Sequence, residues 1–113
     1  MKLATMRRPR GGAPGVSGVA RLDRRTQRLV GRLNPGDIAI IDHVDLDRVA
    51  AEALVAAKVG GVVNAAPSIS GRFPNLGPDL LVASGIPLLD NVGNQVFATV
   101  KEGTRVRLDG DTL

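Results

Sequence analysis

The chain has 113 residues, no cysteine, 43% hydrophobic residues and only two aromatics, Phe73 and Phe97, and its formal net charge is +4. This length holds a single domain and little more. The lack of cysteine excludes disulfides, thiolate metal sites and cysteine nucleophiles, and no apolar run reaches the roughly 20 residues needed to span a bilayer.

The charge is unevenly placed. Residues 1–32 hold nine Lys/Arg against one acid, Asp23, for a charge of +8, whereas residues 33–113 hold six against ten, for −4. Residues 1–20 (MKLATMRRPRGGAPGVSGVA) are dominated by Pro, Gly and Arg, which predicts a disordered basic arm. The arm lacks the apolar stretch of a secretory signal, so a cytoplasmic location is expected. Residues 21–113 are expected to form the one domain. Leu22, Leu29 and Val30 share a helical stripe among arginines, which predicts a helical turn or two within residues 21–32.

Asn34-Pro35-Gly36-Asp37 is a turn signal. It feeds the apolar run IAII at residues 38–41, a buried strand. A helix is expected to start near Asp45 to Asp47, with Asp45 able to cap it. Val49, Ala50, Ala53, Leu54 and Ala57 follow at helical spacing, and Gly60-Gly61 ends the helix. Residues 62–66 (VVNAA) read as the next buried strand. After a polar loop, Pro78 opens a second helix that Gly85 terminates. A short strand at residues 86–89, a turn, and a β-hairpin over residues 95–108 complete the chain. Strands alternating with helices predict an α/β fold with parallel pairing across the crossovers.

Three groups of residues bear on chemistry. Asp42 and the sole histidine, His43, close one predicted strand, and Asn64 lies in the next. α/β folds place ligands at such strand ends. A general-base role for His43 competes with a turn histidine bonded to a neighbouring carboxylate. The second reading is favoured, because no nucleophile or ligand set accompanies the histidine. Asp37, Asp42, Asp45 and Asp47 lack calcium-loop spacing, and turn and cap duty accounts for them without a metal. The loop residues Ser68, Ser70, Gly71, Arg72, Asn75 and Gly77 join a buried strand to a helix start. They read either as an anion or phosphate site or as an ordered surface loop with Arg72 in a salt bridge. The arm's arginines have no interleaved aromatics, so nucleic acid is not the expected partner. With no complete catalytic set, the chain alone is not expected to be an enzyme.

The motifs GRLNPGDIAIIDH (31–43), Asp45-Leu46-Asp47, NAAPSISGRFPN (64–75) and GIPLLD (85–90) occur in order. Together they resemble the N-terminal domain of the actinobacterial cytokinetic-ring protein (SteA) family, over about residues 21–113. Members of that family are longer. The resemblance implies a following thiamin pyrophosphokinase-like domain, a membrane segment near the C-terminus, and a role in cell division and daughter-cell separation with a membrane partner. It implies no cofactor in this chain, with any nucleotide belonging to the full-length protein. On this reading the chain is the front module of a longer protein, found at the division septum and able to form homo-oligomers. The arrangement around VGGVV (59–63) and Gly85-Ile86-Pro87 is also similar to the swivelling domain of phosphoenolpyruvate-utilising enzymes. Leu76-Gly77-Pro78 stands where that domain carries its phosphorylatable histidine, so phosphotransfer is not implied. The expected fold is therefore a swivelling β/β/α-type α/β domain with parallel strands, two helices and a C-terminal β-hairpin. The expected function is a non-catalytic structural or interaction module. The alternative is a phosphate- or nucleotide-binding domain that assists a thiamin pyrophosphokinase-like domain.

Overall fold

A computed structural model describes residues 3–5, 15–71 and 76–109. Among them run β1 (Leu3–Thr5), β2 (Val16–Leu22), α1 (Thr26–Val30), β3 (Ile38–Ile41), α2 (Arg48–Ala56), β4 (Gly61–Asn64), α3 (Gly77–Ala83), β5 (Leu88–Leu89), α4 (Val96–Thr99) and β6 (Arg105–Leu108). The six strands form one sheet in the order β1-β6-β2-β3-β4-β5. β2, β3, β4 and β5 pair in parallel, with Ala20 opposite Ile38, Ile38 opposite Gly61 and Val62 opposite Leu88. β6 runs antiparallel to β2 and parallel to β1. The fold is α/β, as the alternation of strand and helix patterns predicts.

β3 and β4 are buried along their whole length, as parallel strands covered on both faces must be. Their side chains alternate between two cores. Ala39, Ile41 and Val62 face Leu29 of α1, Ala50, Ala51 and Leu54 of α2, and Leu81 of α3. Ile38, Ile40 and Val63 face Val96 and Val100 at α4 and Val106 and Leu108 of β6. The short α4 and the curl of the sheet toward β6 therefore cover the face that the three crossover helices leave open.

Several expectations need correction. The arm was expected to be disordered to residue 20, but Val16–Leu22 is a strand held on both sides, by β3 and β6. Its glycine is there for close approach rather than flexibility: a Cβ on Gly18 would collide with the Gly36 carbonyl. Leu3–Thr5 is also a strand, and residues 6–14 lie outside the described residues. Among the described residues there are four helices: α1 lies where a helical turn or two is expected, and α4 adds to the two full helices expected. The expected hairpin over residues 95–108 does not form. Val96 and Val100 are four apart and both buried around α4, a helical spacing. The antiparallel partner of β6 is β2, not the segment before it. The turn expected at residues 101–104 is real but serves that pairing: Gly103 N donates to Ala20 O, and Ala20 N to Thr104 O. α2 ends before Gly60, with Lys58 taking the positive φ of 60°. Its cap is Asp47, whose carboxylate accepts from Ala50 N at 2.8 Å, rather than Asp45.

Candidate functional site

Four parallel strands direct their C-terminal ends to the same edge of the sheet, so the loops after β2, β3, β4 and β5 gather there. This is where open α/β sheets bind ligands. Asn64, the last residue of β4, is fully buried and organises the edge. Its side-chain amide donates to His43 O at 2.8 Å and to Ser68 Oγ at 2.8 Å. Its Oδ1 accepts from His43 N at 3.0 Å and from Ala66 N at 3.1 Å. A buried amide so fully bonded holds the two flanking loops to each other.

Further bonds tie the same loops. Asp45 N donates to Pro67 O and Leu46 N to Ser68 O, both at 3.0 Å. Asp45 itself has a φ of 53°, a conformation that aspartate tolerates better than most residues. Its carboxylate accepts from Ser70 N at 2.7 Å and Ser70 Oγ at 2.8 Å. Ser68 N donates to Asp90 Oδ1 at 2.8 Å, which adds the loop after β5. Gly77 packs so tightly that a Cβ there would strike the Leu46 carbonyl.

The sequence-derived site residues thus divide. Asp42, His43 and Asn64 do come together, through backbone contacts of His43 with Asn64. Ser68, Ser70 and Gly77 lie beside them, and Gly71 is an exposed turn glycine with φ 88°. Arg72 and Asn75 lie outside the described residues. The expected carboxylate partner of the His43 ring is replaced by a hydroxyl: Nδ1 lies 2.8 Å from Thr26 Oγ1, while Asp42 accepts from Arg24 Nη1 at 3.0 Å. Thr26 is buried, and its hydroxyl is engaged with the His43 ring at the edge of the cleft it helps to line. The four aspartates around β3 do four separate jobs. Asp37 caps the Asn34 turn and meets Arg21, Asp42 holds Arg24, Asp45 holds Ser70, and Asp47 caps α2. Among the described residues, no group of three His, Cys, Asp or Glu could hold a metal, and no helix is long and apolar enough to cross a membrane.

The same edge opens into a cleft of about 800 Å³ between α1 and α2. Sequence reasoning missed it. Its walls are Val30, Val44, Val49, Ala50 and Ala53, with Arg24, Arg25, Arg28 and His43 on the polar side. Arg24 is engaged on three sides: it donates to Asp42 Oδ2 and Asn94 Oδ1, each at 3.0 Å, and lies 4.3 Å above the centre of the Phe97 ring. The signal available in the sequence was the Arg-Arg-x-x-Arg spacing of residues 24–28, among the arginines that surround the apolar stripe of Leu22, Leu29 and Val30. No protein-family model and no curated protein matches this chain.

Proposed function

We propose that the chain is a non-catalytic interaction module of a cell-division and cell-separation protein, acting with a membrane-anchored partner. One observation carries the reading. The motifs that resemble the SteA family are dispersed over residues 31–90, yet Asp45, Asn64, Ser68, Ser70 and Asp90 meet at one edge of the sheet in a single hydrogen-bonded assembly. A set of loops so firmly fixed to one another is a rigid platform. It presents Ile69 and Leu76, 54% and 57% exposed, as apolar contacts for a partner.

A two-hybrid assay against membrane-anchored division proteins, with septal localisation of a fluorescent fusion, tests the proposal. A specific interaction that Ile69→Asp and Leu76→Asp abolish is expected. Septal recruitment that is unchanged by both variants would count against this face.

A further inference from the structure

We propose that the cleft between α1 and α2 binds a phosphate monoester carried on a small organic body. This goes beyond the protein–protein reading and does not rest on it. A volume of about 800 Å³ lies within the range of small-molecule sites. The polar side of the cleft is cationic for a specific reason. Its three arginines are not equivalent: Arg24 is held by Asp42, Asn94 and Phe97, whereas Arg25 and Arg28 make no ion pair among the described residues. Two aspartates share the lining, Asp42 paired with Arg24 and Asp47 capping α2, so three arginines face two carboxylates and the cleft keeps a net positive charge. Arg25 and Arg28 are three positions apart and so share one side of the chain as it enters and forms α1. Two guanidiniums on one side match the oxygens of a phosphate by paired N–H bonds.

His43 adds a third donor. When the Thr26 hydroxyl donates to Nδ1, the ring proton sits on Nε2, which makes no further bond among the described residues. The opposite wall is apolar, formed by Val30, Val49 and Ala53, and Val49 is 69% exposed. Inorganic phosphate alone leaves this wall wet. An organic body on the phosphate covers it and gains from the burial.

The test is an amide NMR titration of the 113-residue chain with AMP as the monoester, and with adenosine, inorganic phosphate and phosphatidic acid vesicles as separate arms. Saturable AMP binding is expected, with shifts at Thr26, Arg28, His43 and Ala50. Adenosine and inorganic phosphate should each bind at least tenfold more weakly. The double variant Arg25→Ala/Arg28→Ala should weaken AMP at least tenfold with a dispersed spectrum retained. Arg48→Ala, an arginine paired with Glu52 outside the cleft, should change it less than twofold. AMP binding that is absent, unsaturable or unaltered in the double variant overturns the proposal, as does binding to the vesicles without binding to free AMP.

Discussion

Arg21 and Arg32 belong to the same basic stretch as Arg25 and Arg28, and the fold treats the two pairs in opposite ways. Arg21 Nε donates to Asp37 at 3.3 Å and Nη1 to Glu102 at 3.3 Å. Arg32 donates to Glu102 at 2.6 Å and to Leu22 O at 2.7 Å. Glu102 also accepts from Leu22 N at 2.7 Å. These bonds pin the loop before β6 to β2, some 80 residues earlier in the chain. Burial pushes the Glu102 carboxyl up, but the Leu22 N–H and the Arg32 and Arg21 guanidiniums outweigh it and hold it below its ordinary value. The hydrogen bond to Glu102 in turn raises Arg21. Arg25 and Arg28 have no such partners among the described residues and border the cleft instead. A net charge of +8 over residues 1–32 thus hides a structural pair and a pair free to meet a ligand.

Asn64→Ala removes the hub beneath both loops and takes away the side-chain partner of His43 N and O and of Ala66 N. It should lower stability by about 3 kcal/mol in urea denaturation. A loss that small surface changes equal would show that the platform is not built on Asn64. Arg21→Ala/Arg32→Ala should lower stability by roughly 1–2 kcal/mol, because Asp37 and Glu102 lose their guanidinium partners and keep only the Asn34 and Leu22 N–H groups.

Glu102→Gln should have a smaller effect, under ~1 kcal/mol, since the group is partly exposed. That effect should depend on pH. A carboxyl held below its ordinary pKa stabilises the fold fully above the unfolded value of about 4.3 and loses the contribution as pH falls through the folded value. The gap between wild type and Glu102→Gln should therefore be widest near neutrality and close in acid, as urea midpoints across pH would record. Arg25→Ala/Arg28→Ala should leave stability within ~0.5 kcal/mol of wild type.

The α/β class was legible in the sequence because its strongest signals are local. IAII between a turn and a capped helix has one simple reading, and Pro78 and Gly85 bracket α3 as expected. What escaped were features set by distant partners. VSGVARL is Gly-containing and basic at its end, and it becomes β2 only because β3 and β6 flank it. QVFATV alternates well enough for a strand, but it is folded as a helix whose valines cover Ile38 and Ile40. The candidate site shows the same limit. His43, expected at the close of one strand, and Asn64, expected within the next, follow β3 and end β4, and the structure joins them. The partner of the His43 ring, Thr26, lies 17 positions earlier, and no local pattern links the two. The cleft depends on α1 standing across from α2, a tertiary relation that charge counting cannot see.

The most direct test is thermal unfolding of wild type, Arg21→Ala/Arg32→Ala and Arg25→Ala/Arg28→Ala, each with and without AMP at a hundred times its dissociation constant for wild type. A ligand confined to the native state adds about 2.7 kcal/mol at that concentration. Wild type and the Arg21/Arg32 variant should both gain it, the latter from a lower baseline, while the Arg25/Arg28 variant should start at the wild-type baseline and gain at most about half as much. A lowered baseline for the Arg25/Arg28 variant, or an equal AMP response in all three proteins, would contradict the division between structural and ligand-facing arginines.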